Sequence, residues 1–366
     1  MERSFHMRRY RDPLFSNDKR KHPALILFFA ILFLFLAIAF GLNHFNNSRV
    51  ELLTEKVTVP LLPSSLENFR ILHISDLHGL TFGENQKRLI DAFANSKYDI
   101  VCITGDVCGK DGDYIPFIQL LSYFQNINKP VYFIPGDEDP NPLIAVPHGN
   151  DTAKADYIVA AENAGAVYLD APVQIVRGKN VLWLYPEWAY TMDIDASTGI
   201  MNTRLAELEK QPDSAEKTAA ISAVTYQLDQ MERIRAARRV TLESDIHVAL
   251  THHPLKLSAL EEMLAFTSSD NDSYVRYISL VLAGHYVGGQ WRLPGIGALR
   301  APATSGLGTN GWFPDDDQVM GLASFLGIPQ YISPGLGSSN AIGLPPFRFM
   351  NTPSVTIVTL TSKLIH

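Results

Sequence analysis

Five apolar runs, each of a length typical of a β-strand, are followed within two residues by acidic or His residues. The runs occupy residues 70–75, 99–104, 131–135, 246–250 and 278–283. The polar residues that follow them are Asp76 and His78, Asp106, Asp137 with Glu138 and Asp139, His252 with His253, and His285. Side chains just beyond the carboxyl ends of strands in an open α/β sheet converge on one crevice. Carboxylates and imidazoles gathered there bind divalent metal ions, so the spacing predicts a metal site.

Helical patterns alternate with the first of these strands, and this alternation predicts the fold class. The helical patterns occupy residues 84–97, 114–127 and 156–164. Such alternation is typical of βαβ units with helices on both faces of a sheet. A hairpin-like stretch follows at 167–184, and further strand patterns lie at 330–332 and 354–360. We predict an α/β fold with a two-layer β core flanked by helices, in one domain.

A long helical segment separates the third acidic segment from His252. It runs from about Ile200 to Val240, with a break predicted at Gln211-Pro212. We interpret the stretch 186–244 as an insertion beside the site. A lid, a partner-binding arm and simple packing are all compatible with it, and packing is the default interpretation.

A second feature, the apolar run from Ala24 to Leu42, predicts a transmembrane helix. These nineteen residues contain no charge, and at the helical rise they would extend about 28 Å, close to the hydrocarbon thickness of a bilayer. Seven Lys or Arg precede the run, which by the positive-inside rule places the N-terminus in the cytoplasm and the rest outside it. The alternative is a cleaved signal peptide, for which Ala37-Ile38-Ala39 could serve as the cleavage site.

These patterns together predict a single-pass protein of the cell membrane, held by a signal-anchor. The predicted divisions are a cytoplasmic basic tail (1–23), a transmembrane helix (24–42), a spacer (43–67) and an extracytoplasmic domain (68–366). Beyond residue 42, 24 Lys and Arg stand against 35 Asp and Glu, a net charge of −11. Because contacts with phosphate backbones need Lys and Arg, this charge argues against nucleic acid as a partner. Two cysteines, Cys102 and Cys108, do not make a disulfide framework.

The ordered motifs D-x-H, G-D, G-D-E in place of G-N-H, His-Pro and G-H-x-V-G-G-Q resemble those of the calcineurin-like metallophosphoesterases. Residues 288–295 and 333–337 resemble the membrane-associated bacterial branch of that family. The resemblance covers about residues 68–362 and implies the fold of that family. It also implies two divalent metal ions, such as Mn, Fe or Zn, bridged by one Asp, with a metal-bound hydroxide attacking phosphorus.

The resemblance assigns the metal ligands by position. Asp76 and His78 would bind the first metal and Asp106 would bridge, while the second metal would be bound by Asp137, His252 and His285. By the same pattern His253 is a supporting or surface residue. Asp106 and Glu138 are the candidate catalytic residues.

Three positions depart from the family pattern. Asp137 stands where the family has Asn, Glu138 where it has a catalytic His, and Val287 where it has a further His ligand. Val cannot bind a metal, so the departures predict weakened or single-metal chemistry.

Two functions follow as hypotheses. The first is a metal-dependent phosphoesterase acting on phosphodiester or pyrophosphate bonds of phosphorylated small molecules or lipid-linked molecules at the membrane. The second is a degenerate module that binds metal and a phosphorylated ligand without turnover. A structural scaffold that uses the long helical segment is a third interpretation.

Overall fold

The computed structural model describes residues 23–143, 153–261, 278–302, 311–314, 319–340 and 346–364. The chain divides into two compact units, Met1–Leu42 and Asn43–His366. The strands are β1 (Glu51–Thr58), β2 (Arg70–Ile74), β3 (Ile100–Thr104), β4 (Val131–Ile134), β5 (Ala166–Tyr168), β6 (Val173–Arg177), β7 (Asn180–Pro186), β8 (Ile246–Leu250), β9 (Ile278–Ala283), β10 (Trp291–Leu293), β11 (Gly297–Arg300), β12 (Gly321–Phe325), β13 (Ile328–Ile332) and β14 (Ser354–Thr361). The α-helices are α1 (Pro23–Asn47), α2 (Lys87–Phe93), α3 (Ile115–Asn126), α4 (Asp156–Asn163), α5 (Ile194–Glu209) and α6 (Ala215–Val240).

The first unit contains the apolar part of α1. The segment Ala24–Asn47 is long and apolar enough to cross a membrane, and nearly all its side chains as far as Leu42 are exposed. A signal sequence near an N-terminus meets the same description. The basic tail predicted at 1–23 lies outside the described residues, apart from Pro23.

The second unit contains two six-stranded sheets. The first has the order β1-β14-β2-β3-β4-β5, parallel throughout except for the antiparallel pair β14 and β2. The second has the order β12-β13-β9-β8-β7-β6, with a parallel centre from β13 to β7 and an antiparallel strand at each edge. Strands β10 and β11 form a separate antiparallel hairpin.

The two sheets pack face to face, and helices cover their outer faces. The buried layer between the sheets contains Ile71 and Val358 from the first sheet and Val248 and Leu282 from the second. Residues of α3 and α4 pack on the first sheet, and residues of α6 pack on the second. The predicted α/β fold with a two-layer β core flanked by helices is confirmed.

The clearest difference from the predicted elements lies at residues 51–58. Residues 51–58, inside the segment interpreted as a spacer, form β1, which pairs along its whole length with β14. The sequence indicates an extended segment here only from Glu55 to Leu62, because β1 lies at a sheet edge, where only Val57 is fully buried and the apolar pattern is weak. The long helical segment is two helices, α5 and α6, separated at 210–214 where Gln211-Pro212 predicted a break.

Candidate metal centre

The loop after β2 brings Asp76 and His78 to the neighbouring loop after β3. The backbone N–H of Asp76 donates to the Gly105 carbonyl at 3.0 Å, and that of His78 donates to the Asp106 carbonyl at 2.8 Å. Both residues adopt left-handed φ angles, 54° for Asp76 and 48° for His78. The ligand atoms of Asp76, His78 and Asp106 thus lie within 4.8 Å of one another.

Asp106 lies between this group and a second one. Its Oδ1 accepts a hydrogen bond from the Glu138 backbone N–H at 2.9 Å. Its Oδ2 lies 3.7 Å from His78 Nε2 and 3.2 Å from His252 Nε2. The same carboxylate oxygen therefore faces imidazoles from both groups.

Gly105 allows the loops after β3, β4 and β8 to meet. Its φ is +84°, and a Cβ at this position would lie 2.6 Å from the Gly136 nitrogen and 2.7 Å from His252 Nδ1. Any larger residue would push these loops apart, because real Cβ atoms do not approach so closely. The close approach keeps His252 beside the carboxylate of Asp106.

The second group consists of Asp137 with three imidazoles. Asp137 Oδ1 lies 2.7 Å from His252 Nε2, 3.1 Å from His285 Nδ1 and 3.6 Å from His253 Nε2. His252 Nδ1 lies 2.8 Å from the Thr104 carbonyl, and because a carbonyl only accepts, this nitrogen carries a proton. The opposite nitrogen of His252 is thereby the one directed at the carboxylates, as in a metal-binding imidazole.

Both groups fit a divalent metal ion. Among the described residues, three buried atoms at the centre have no hydrogen-bond partner: His78 Nε2, Asp106 Oδ2 and His285 Nε2. Buried polar atoms are nearly always paired, so three unpaired atoms on ligand residues of one centre fit a bound cation. Imidazole nitrogens with carboxylate oxygens are a donor set for Mn, Fe or Zn.

The electrostatics of the centre are dominated by its crowded carboxylates and imidazoles. Burial raises the pKa of Asp76. Burial would also raise the pKa of Asp137, but hydrogen bonds from His252 and His285 hold it well below its usual range. For His252 burial acts to lower the pKa, yet the carboxylates of Asp106 and Asp137, which lie 3.2 and 2.7 Å from its Nε2, raise it well above its usual value. In contrast, burial and the neighbouring His285 lower the pKa of His253 to about 4.

Glu138, a candidate catalytic residue, is held by a distant loop. Its carboxylate accepts hydrogen bonds from the Ser339 hydroxyl, from the Asn340 backbone N–H at 3.1 Å and from Asn340 Nδ2 at 3.0 Å. Its Oε2 lies 3.6 Å from His78 Nδ1. Because the Ser339 and Asn340 contacts use Glu138 as an acceptor, they favour a positioning role for it over proton donation.

Asp139 and Val287, which lie next to the candidate site residues, make hydrogen bonds that support the surrounding loops. Asp139 is buried and accepts hydrogen bonds from the backbone N–H groups of Cys108 and Gly136, each at 2.8 Å. Val287 is fully buried with φ at +52°, and its carbonyl accepts a hydrogen bond from Asn351 Nδ2 at 2.8 Å. The group around Asp76 therefore has three ligands among the described residues, against four around Asp137.

Two residues near the centre were not assigned from the sequence. His253 was set aside as a supporting or surface residue, but its ring lies 4.0 Å from that of His285 and within reach of Asp137. Arg348 is buried and donates to the carbonyls of Gly337 at 2.9 Å and Pro334 at 3.0 Å. The Gly337 backbone N–H in turn donates to the Asp76 carbonyl at 2.5 Å. The resemblance of residues 333–337 to a family segment was the only sequence signal for this loop.

Comparison with known proteins adds a family match. The family model of the calcineurin-like phosphoesterases matches residues 69–288, a range that contains every predicted ligand. The crystal structure of phosphopantetheinyl hydrolase from Mycobacterium tuberculosis is similar at 12% sequence identity and a TM-score of 0.34. That alignment covers 74% of this chain and 91% of that chain. No curated protein matches the sequence.

Proposed function

Because this chain belongs to the calcineurin-like phosphoesterase family, we propose that it is a membrane-anchored, metal-dependent phosphoesterase that hydrolyses phosphodiester or pyrophosphate bonds. The observation that carries the proposal is the position of Asp106. Its Oδ2 lies between the imidazoles of His78 and His252 and has no hydrogen-bond partner among the described residues. A carboxylate in that position suits a bridge between two metal sites.

The proposed roles of the residues follow from their contacts. Asp76 and His78 bind one divalent ion together with Asp106. Asp137, His252 and His285 bind the other, with His253 as a further donor. Divalent ions at such a centre neutralise charge on phosphoryl oxygens and lower the pKa of water. The Thr104 carbonyl fixes the tautomer of His252, and so orients the nitrogen that faces the carboxylates.

The charge of the centre favours diesters as substrates. Four carboxylates, those of Asp76, Asp106, Asp137 and Glu138, lie around the two groups. A monoester carries nearly two negative charges at neutral pH and a diester only one. The negative potential of the carboxylates therefore weakens the binding of a diester less than that of a monoester. This difference is largest if one of the two metal sites binds its ion weakly.

The test is hydrolysis of a diester and a monoester model substrate, bis(p-nitrophenyl) phosphate and p-nitrophenyl phosphate, with and without Mn²⁺. We expect slow, metal-dependent hydrolysis that favours the diester. Val287→His, alone or with Glu138→His, should raise the rate, because these changes restore a ligand and a general acid, the latter typically worth about 10²–10⁴-fold. Equal and negligible rates in the parent and the double variant at matched metal loading would contradict an enzymatic function.

A second candidate function is a module that binds metal and a phosphorylated ligand without turnover. The bonds from Ser339 and Asn340 to Glu138, at the family's catalytic position, favour it. Calorimetric binding of phosphate to metal-loaded protein that hydrolyses neither ester would support this function. For either function we propose a partner or substrate at the membrane, outside the cytoplasm, because of the apolar helix. Nucleic acid is not among the proposed partners.

A further inference from the structure

A cavity of about 260 Å³ adjoins the metal centre. It is formed where β4, β5, β7 and β8 end, and its walls include Pro135, Leu169, Trp188 and His252. His252 belongs to the group around Asp137, so the cavity shares a wall with the metal centre. A phosphoryl group bound at the centre would thus have this cavity beside it.

The walls of the cavity are mostly apolar and aromatic. Leu169 and Leu250 are buried, and Tyr168 and Trp188 supply aromatic surface. Its volume exceeds the about 150 Å³ in which an apolar cavity takes up benzene. The space is therefore sufficient for at least one ring-sized group.

One carboxylate side chain, that of Glu187, lies in the wall of the cavity. Among the described residues that line the cavity none is Lys or Arg. Burial raises the pKa of the Glu187 carboxyl, as expected for a carboxylate without a nearby cation. A second phosphate or another anion in the cavity would face this partly buried carboxyl, with no Lys or Arg beside it among the described lining residues.

We propose that this cavity binds the organic group esterified to the phosphate, and that it selects a neutral, ring-sized group with a hydroxyl that can reach Glu187. The inference rests on the proposed phosphoesterase function and narrows its substrate class. Phosphodiesters of a neutral alcohol fit the cavity, whereas a pyrophosphate would place its second phosphate beside Glu187. Trp188 supplies the apolar contact, and Glu187 supplies the discrimination by charge.

The first experiment measures affinity with non-hydrolysable ligands that differ in one group. Methyl phenylphosphonate and methyl methylphosphonate each carry a single negative charge, and only the first has a ring. With Mn²⁺-loaded protein we expect the phenyl ligand to bind about tenfold or more tightly in calorimetry, because it buries a ring's apolar surface. Trp188→Ala should remove most of that preference while leaving the affinity for the methyl ligand within about twofold.

Trp312→Ala is the matched control. Trp312 is 44% exposed, close to the 38% of Trp188, but it does not line the cavity. This variant should keep the full preference for the phenyl ligand. Circular dichroism and metal content establish that both variants are folded and loaded.

The second experiment tests discrimination by charge. A carboxylate at position 4 of the phenyl ring should weaken binding by about tenfold, whereas a 4-hydroxymethyl group should not weaken it. The loss of affinity caused by the carboxylate (the carboxylate penalty) should be smaller in Glu187→Gln. Equal affinity for phenyl and methyl ligands, an equal loss of both in Trp188→Ala, or a carboxylate penalty unchanged in Glu187→Gln would overturn this inference and leave the proposed function standing. If neither phosphonate binds the metal-loaded protein, the proposed function fails and the inference fails with it.

Discussion

At the scale of single residues, the centre depends on a few side chains whose backbones adopt unfavourable conformations. Asp76, His78, Asp106, His285 and Val287 all have positive φ, a region that Asp and His enter more readily than most residues and β-branched residues rarely. Left-handed residues just after a strand redirect the chain so that ligands two residues apart can face one ion. Val287 has the same backbone conformation without a ligand atom.

Asp106→Ala should remove nearly all bound metal, because this carboxylate faces both groups. The affinity should fall by more than the about 10–100-fold that loss of a supporting hydrogen bond costs. Asp111→Ala is a matched control, since Asp111 is an exposed acid with a similar φ of 62° against 52° for Asp106. Metal analysis after dialysis gives equivalents per chain. Parent-like metal content in the Asp106 variant would refute the assignment of the site.

Metal binding at pH 7 should release about one proton from His252. Its pKa in the metal-free protein is raised well above the usual value, so the imidazole is charged at pH 7 and must lose a proton to bind a metal. His253, with a pKa lowered to about 4, is already neutral and releases none. Affinity should therefore weaken as the pH falls.

Calorimetric titration in two buffers of different ionisation enthalpy measures that proton release. His253→Ala should retain it, and His252→Ala should abolish it. Metal binding without proton release in the parent protein would show that His252 is neutral before the metal arrives.

Val287→His should raise the metal content from about one to about two per chain. The structure allows this change in the backbone, because His tolerates the φ of +52° better than a β-branched residue does. Val287→Leu is the control that changes the side chain without adding a donor. Metal analysis that finds the same content in the two variants would contradict a weakened first site.

At the scale of elements, the centre is assembled by loops that each follow a parallel strand. Loops after β2, β3 and β4 come from the first sheet, and loops after β8 and β9 come from the second. The His285 backbone N–H donates to Asp76 Oδ1 at 2.9 Å, which joins a loop of one sheet to a loop of the other. The centre therefore requires the two sheets to be packed together.

Asp170, which follows β5, ties helix α6 to the segment between β5 and β6. Arg233 makes a bidentate contact with its carboxylate at 2.7 and 2.8 Å, and the Tyr226 hydroxyl also donates to it. Asp170 is buried, 4% exposed, so its charge depends on these partners. This pairing stabilises the packing of α6, the default interpretation of the insertion.

Arg233→Ala should lower the free energy of unfolding by about 1–3 kcal/mol, because it leaves the buried Asp170 carboxylate underpaired. The lower part of this range is expected, because Arg233 is half exposed and water can partly replace its guanidinium as a partner of Asp170. Urea denaturation measures the change. Arg239→Ala is the control: its nearest carboxylate, on Glu232, is 3.9 Å away, and the expected change is within about 0.5 kcal/mol. Equal effects of the two variants would contradict a docking role for Arg233.

At the scale of the whole molecule, the protein combines an apolar helix with an acidic phosphoesterase-like unit. The strands that carry the ligands are far apart in sequence, and β1 closes the first sheet by pairing with the last strand, Glu51 opposite Ser354. Folding must therefore bring distant segments together before any metal can bind. The apolar helix belongs to a separate compact unit. Its role is therefore tested by whether the protein stays with membranes.

The protein should remain in the membrane fraction after carbonate washing, since the nineteen residues from Ala24 to Leu42 form an uncharged apolar run. Protease added outside the cytoplasm should digest the domain that follows it, because the basic flank is expected to stay inside. Deletion of residues 1–42 is the control and should release the protein. A soluble mature form that begins near Phe40 would instead establish a cleaved signal sequence.

The sequence was sufficient to predict the local parts of the molecule. Strands such as β8 and β9 have the predicted bounds, because a buried parallel strand is a continuous apolar run that ends at a polar residue. The sequence also predicts the residues of the two ligand groups except His253, since ligands that follow such strands keep a fixed order along the chain. Both signals lie within a few consecutive residues.

Only the tertiary structure decided the contacts between distant segments. The sequence contains no local sign that Glu138 accepts hydrogen bonds from Ser339 and Asn340, or that Arg348 supports the loop beside Asp76. It likewise contains no sign that β1 pairs with β14, because an edge strand is half exposed and its partner is at the other end of the chain. Hydrophobic periodicity records burial along one segment, whereas pairing, hydrogen bonding and charge at the metal centre depend on which segments the two packed sheets bring together.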